Sequence, residues 1–136
     1  MGEFLIYGAN GYTGKLALQE ALRRGLRPIV AGRNREALAA LAAPHGLPVR
    51  AFDLADAGTV ASALNGVGLV LHCAGPFSAT CAPMLEACLD VGAHYLDITG
   101  EIDVFAHCHA QDARAKEKNV VVLPGSGFDV VPTDCL

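Results

Sequence analysis

An apolar tetrad, Phe4-Leu5-Ile6-Tyr7, runs directly into Gly8-Ala9-Asn10-Gly11-Tyr12-Thr13-Gly14, and an amphipathic stretch begins at once behind it. Glycines at this spacing, between a strand and a helix, leave few folds open. Gly8 lets the chain turn sharply out of the strand. Gly11 has no Cβ to hold the backbone away from a bound group, and Gly14 lets the helix pack closely on the sheet. Free N–H groups at the helix start face outward, and the helix macrodipole favours negative charge in front of them. The turn, with Asn10, Tyr12 and Thr13 in it, is therefore expected to hold a dinucleotide pyrophosphate. A plain tight turn would need no such context. A P-loop is excluded because Gly14-Lys15 is followed by Leu16.

Behind this unit the pattern alternates strand and helix along the whole chain. The expected strands are Phe4–Tyr7, Pro28–Ala31, Val49–Phe52, Leu69–Cys73, His94–Asp97 and Val120–Leu123. The expected helices are Tyr12–Arg24, Arg35–Ala43 with Asn34 as cap, a helix capped by Asp56 and running to Leu64, Ala82–Val91, and a long one from Ile102 to Lys118. Leu16, Leu18, Ala21 and Leu22 are expected to supply the buried face of the first helix. A further helix capped by Thr133 or Asp134 is expected at the end. Strands that each feed a returning helix form right-handed crossovers. The fold class is thus α/β: a Rossmann, doubly wound, six-stranded parallel sheet with helices on both faces, in the order 3-2-1-4-5-6. Residues 1–136 read as one domain, since the connections are short and show no linker.

The end of the second strand discriminates between cofactors. NAD enzymes place a carboxylate there for the ribose 2′-hydroxyl, but here the chain reads Ala31-Gly32-Arg33-Asn34-Arg35, with no acid before Glu36. Arg33 can grip a 2′-phosphate bidentately and stack on adenine, so NADP is expected over NAD. Arg35 is a weaker candidate. Asp53, at the end of the third strand, stands where the adenine amino group would lie, or serves only as a turn acid. Ala74-Gly75-Pro76-Phe77, at the end of the fourth strand, leaves room for the nicotinamide ribose. Asp97, Thr99, Glu101, Asp129, Thr133 and Asp134 gather at the carboxyl ends of the later strands, where ligands sit in such sheets. No catalytic residue can be assigned among them. The sequence lacks the Tyr-x-x-x-Lys pair of short-chain dehydrogenases.

Composition excludes several classes. A net charge of −4 gives no footprint for nucleic acid or an anionic membrane. Met1-Gly2-Glu3-Phe4 carries no basic region followed by a long apolar run, and Val67–Cys73 is too short to span a bilayer. A cytoplasmic location is expected. The five cysteines form no Cys-x-x-Cys pair and read as reduced thiols, four of them in core elements or on helices. No metal is expected at His107-Cys108-His109, because adjacent helix residues diverge by about 100°.

With these motifs placed, the chain resembles the N-terminal NAD(P)-binding domain of the saccharopine dehydrogenase-like oxidoreductases, including the trans-acting enoyl reductase group. The resemblance rests on Tyr7–Gly14, Ala31-Gly32-Arg33, Cys73–Phe77, Gly92–Asp97 with Gly100-Glu101, and Gly127–Asp134. Asn10 stands where such proteins commonly carry Thr or Ser. The resemblance implies NADP-dependent hydride transfer to or from a small-molecule substrate. It also implies a longer parent protein whose C-terminal substrate domain is absent here, so the isolated fragment is expected to be inactive. A homodimer is compatible with this reading. The competing expectation is a non-enzymatic NADP-sensing regulator, related to atypical short-chain dehydrogenases, that uses the same turn and the same Arg33. A bare interaction scaffold without cofactor ranks third.

Overall fold

The computed structural model describes residues 2–136; Met1, the first residue of the Met1-Gly2-Glu3-Phe4 stretch read above, lies outside the described residues. Six strands, β1 (Glu3–Tyr7), β2 (Ile29–Gly32), β3 (Val49–Ala51), β4 (Val67–His72), β5 (His94–Asp97) and β6 (Val122–Leu123), form one sheet. Its order is β3-β2-β1-β4-β5-β6 and every pairing is parallel, as the alternation predicts. The helices are α1 (Tyr12–Arg23), α2 (Arg35–Ala42), α3 (Ala57–Ala63), α4 (Phe77–Val91), α5 (Ile102–Ala110), α6 (Asp112–Lys118) and α7 (Val131–Asp134). The order reverses between β1 and β4, whose neighbouring ends therefore open a crevice at the carboxyl edge of the sheet.

Strand alternation sends side chains to two separate cores. Leu5, Tyr7, Ile29 and Ala31 pack with buried residues of α3, α4, α5 and α6. Ile6 and Val30 pack with Leu18 of α1 and Leu38 of α2. Both faces of the sheet are thus covered, which explains why its strands read as aliphatic runs.

Several sequence expectations are corrected. The stretch from Ile102 to Lys118 is two helices, broken at Gln111, whose ψ of 3° leaves the helical range. The break lets Val104, Cys108 and Ala115 all face the core, while Arg114 on α6 reaches Glu86 and Asp90 of α4. The longest helix is instead α4, with 15 residues. It starts at Phe77, five residues before the expected Ala82, because its first amides find an acceptor outside the helix. Leu16 is half exposed and lies off the buried face of α1, which Gly14, Leu18 and Ala21 supply. The last helix begins at Val131 with Pro132 in its first turn, so Thr133 and Asp134 lie inside it and do not cap it. The expected caps Asn34 and Asp56 do accept from the amides of Ala37 and Gly58.

The tightest constraint in the fold lies where α1 crosses the end of β1. Gly8 has a φ of +80°, which an L side chain rarely adopts. A Cβ on Gly14 would fall 2.1 Å from the Gly8 carbonyl oxygen and 2.8 Å from Ala9 Cα, both backbone atoms. By contrast, a Cβ on Gly58 in α3 would meet only the Asp56 carboxylate, at 3.6 Å. Gly14→Ala is expected to lower the unfolding free energy by about 2–3 kcal/mol. Gly58→Ala should raise it by about 0.5 kcal/mol through helix propensity and a less free unfolded chain. Urea unfolding of the two variants beside the parent chain checks both signs.

Candidate functional site

Two helix N-termini face the crevice, and they are treated differently. In α1 the N-cap is Gly11, which brings no side chain. The amides of Gly8 and Ala9 are engaged by Ala31 O at 2.8 and 3.1 Å, and the Gly11 amide by Gly8 O at 3.0 Å. The helical ladder then starts with Lys15 N–H to Gly11 O at 3.0 Å. The amides of Tyr12, Thr13 and Gly14 thus precede the ladder and point out of the helix mouth. In α4 the same position is filled from within. Glu101 Oε1 accepts from the Phe77 amide at 2.8 Å, and Oε2 from the Ser78 amide at 2.9 Å. Those two bonds, the Phe77 one foremost, hold the Glu101 carboxyl below the usual carboxylate range. One positive helix end is thus neutralised by the protein, and the other has no side chain to cap it.

A cavity of about 740 Å³ opens in front of α1. Its lining includes Gly8, Asn10, Gly11, Arg33, Asp53, Ala74 and Gly75, all expected from the sequence. Tyr7, Gly32, Asn34 and Cys73 line it too and were not expected there. A second cavity of about 320 Å³ shares Tyr7, Arg33, Asp53, Ala74 and Gly75, and continues past Pro76 to Thr80 and Pro83. Pro76 belongs to this extension, and the Gly75–Pro76 bond is cis. The other three expected residues stand apart from the lining. Tyr12 and Thr13 are exposed and contribute their helix-start amides, whereas Gly14 is buried against Gly8.

Arg33 is exposed and makes no ion pair among the described residues, so its guanidinium is available to a ligand. Asp53 does act as a turn acid, accepting from the Ala55 amide at 2.9 Å, and still borders both cavities. Gly32 matters by what it lacks: a Cβ there would lie 3.2 Å from Asn10 Oδ1, so the end of β2 and the glycine turn can close up. Tyr7 crosses beneath the floor and donates to Phe52 O at 3.0 Å. Burial, with the Asp53 charge behind it, pushes its phenol up to about 12, so it stays a donor. Tyr7 and Gly32 left a signal in the sequence, as the last strand residue before Gly8 and the small residue before Arg33. Cys73 lies one residue past β4, half-buried, and burial raises its thiol to about 11.

The lip formed by Ala74–Pro76 is held from below. Thr80 Oγ1 lies 2.7 Å from Ala74 O, 3.1 Å from Pro76 O and 2.9 Å from Nε2 of His72. His72 is fully buried on β4, with its ring against Tyr7, Phe77 and Tyr95. Its Nδ1 finds no partner among the described residues. Burial holds its pKa down to about 4. Of the remaining polar residues at this edge, Asp97 and Thr99 are buried, whereas Asp129, Thr133 and Asp134 are exposed and line neither cavity.

Residues 4–123 match the family described as saccharopine dehydrogenase NADP binding domain. The chain is 31% identical over 149 residues to the "probable mitochondrial saccharopine dehydrogenase-like oxidoreductase" of Arabidopsis thaliana, covering 97% of this chain and 33% of the relative. It is 29% identical over 146 residues to the trans-acting enoyl reductase of Mycobacterium ulcerans, covering 97% of this chain and 34% of the relative. Among solved structures, the Citrobacter triphenylmethane reductase complexed with NADP(H) superposes with a TM-score of 0.70 at 25% identity, covering 90% of this chain and 48% of that one. The chain therefore spans about a third of the length of these curated relatives. No helix is long and apolar enough to cross a membrane among the described residues.

Two pH dependences follow from this geometry. The unfolded chain protonates His72 near its ordinary pKa, the folded chain only near about 4, so acid favours unfolding between the two. Stability from this group is complete above about pH 6.5 and falls by about 3 kcal/mol on reaching about pH 4. In His72→Leu the slope of unfolding free energy across that window should flatten. Glu101 works from the other side, with its folded pKa below the unfolded one. Glu101→Gln should melt at a lower temperature than the parent at neutral pH, and the two curves should converge as the carboxylate protonates in stronger acid.

Proposed function

The chain belongs to the saccharopine dehydrogenase NADP-binding domain family, and from that premise we propose that it holds NADP for hydride transfer to or from a small-molecule substrate. The observation that carries this is the juxtaposition, around one cavity, of the side-chain-free mouth of α1 and the unpaired Arg33. The cradle fits the group. Gly14 permits a contact that any Cβ would fill, and the amides of Tyr12, Thr13 and Gly14 supply donors for a pyrophosphate. The cavity volume suits a cofactor of this size.

In this reading Gly8, Asn10 and Gly11 shape the phosphate turn. Arg33 binds the 2′-phosphate in fork geometry, and Asp53 borders the adenine side. Ala74, Gly75 and Pro76 form the wall along the nicotinamide ribose, held at the correct height by Thr80 and His72. When bound, the cofactor supplies the hydride chemistry through its nicotinamide ring. The residues of this chain bind, orient and screen it from water. The substrate is held mainly by the further length of chain that the relatives possess. We assign no proton donor here. This division of labour predicts that the isolated chain binds NADPH but turns over little. A purely sensing role would require that the longer protein also leave NADPH unconsumed in the presence of enones or imines.

Arg33 gives the decisive measurement. One charge-assisted bond contributes about 1.5–3 kcal/mol, or roughly one to two decades in affinity. Fluorescence titration should show Arg33→Asp weakening NADPH by roughly 10- to 100-fold while leaving NADH within a few-fold. A variant that kept the parent's preference for NADPH would remove Arg33 from the site.

A further inference from the structure

Behind the cofactor crevice, between α4, β5 and α5, three metal-ligating side chains converge that the proposed hydride chemistry does not use. Cys81 of α4 and Cys108 of α5 place their Sγ atoms 3.7 Å apart. The Asp97 carboxylate at the end of β5 joins them, with all three donor atoms within 4.8 Å of one another. All three residues are buried, Asp97 completely. We propose that Cys81, Cys108 and Asp97 form a binding site for a thiophilic divalent cation of the zinc class.

Three observations independent of one another carry this. First, the sulfur separation is that of a tetrahedral ion: with zinc–sulfur bonds of about 2.3 Å, the edge between two sulfurs is roughly 3.8 Å. Second, Asp97 carries a buried charge with no cationic side chain paired to it among the described residues. Buried charges are otherwise paired or bound to metal. Its Oδ1 accepts from Thr99 N at 3.1 Å and Gly125 N at 2.8 Å, but Oδ2 accepts only from Tyr95 Oη, at 2.6 Å. One lone pair on Oδ2 is thus left for an ion. Third, one of the two sulfur-bearing residues borders open space. A cavity of about 240 Å³ between α4 and α5 has Cys81 in its lining, beside Asp103 and His107.

Binding converts both thiols to thiolates, so one ion displaces two protons to solvent and no electron moves. Two thiolates and a carboxylate select zinc or cobalt over magnesium and calcium, which prefer oxygen donors. Three protein ligands leave one coordination position for water. The ion would tie α4, β5 and α5 together directly behind Glu101 and the Ala74–Pro76 lip.

Cobalt reports on the site. The reduced, metal-free chain titrated with Co(II) should take up one ion with thiolate-to-cobalt charge-transfer absorption and the visible bands of a tetrahedral complex. Equimolar Zn(II) should bleach them. Cys81→Ser and Cys108→Ser should each abolish the charge-transfer band while retaining the parent's circular dichroism, and Cys135→Ser, at an exposed position, should keep it. A parent chain that gives no band, or a band that survives both substitutions, overturns the proposal. The parent titration decides the matter even where a variant fails to fold. NADPH titration of the same samples keeps a failure here separate from a failure of the cofactor reading.

Discussion

The whole arrangement depends on a backbone contact. α1 can cross the end of β1 only because Gly14 brings nothing between itself and the Gly8 carbonyl. That approach fixes the helix mouth relative to the sheet. It also aligns the amides of Tyr12, Thr13 and Gly14 with the crevice, and it lets Asn10 lie against Gly32 at the end of β2. In the proposed reading, specificity for phosphate is therefore a property of main-chain geometry. Arg33, the proposed discriminator between the two dinucleotides, and Asp53 are then brought to the rim by the ends of strands β2 and β3.

The carboxyl edge of the sheet is divided between a half that is open and a half that is tied down. Around β4 and β5 nearly every polar group is spent internally. Glu101 caps α4, and Thr99 Oγ1 accepts from the Glu101 amide at 3.0 Å. Asp97 takes the amides of Thr99 and Gly125, while its carbonyl oxygen accepts from the Ser126 amide at 2.9 Å. Burial and the Asp97 charge push the Tyr95 phenol far above its ordinary value, which keeps it a donor to that carboxylate. Around β1 and β2 the amides and Arg33 keep their capacity for a ligand. The asymmetry gives a rigid wall on one side of the crevice and a receptive surface on the other.

Sheet order and the glycine turn were legible in the chain because each rests on local physics: glycine sterics, strand–helix alternation and the handedness of crossovers. Arg33, Asp53 and Ala74–Pro76 were legible by position, since each ends a strand in a fold whose ligands lie at strand ends. The rest depended on groups distant in sequence. The start of α4 at Phe77 requires Glu101, which lies 24 positions further on. Nothing near Phe77 could reveal that acceptor. The break at Gln111 reflects the need of two helix segments to face one core, and a helical period read along a line does not record it. His72 was read as one residue of an apolar run, and only its neighbours in space make it the support of Thr80 beneath the Ala74–Pro76 lip.

The mouth of α1 has a kinetic corollary. In the proposed reading, local dipoles and one guanidinium attract the cofactor phosphates at short range, while the chain as a whole is negative by four charges. Such a surface offers little electrostatic steering at a distance, and its net field repels a polyanion approaching through solvent. Rising ionic strength then screens repulsion during approach and attraction after docking, with a Debye length of about 8 Å separating the two regimes at physiological salt. Added salt thus hastens both arrival and departure, so the capture rate and the residence time of the cofactor both depend on the solution around it.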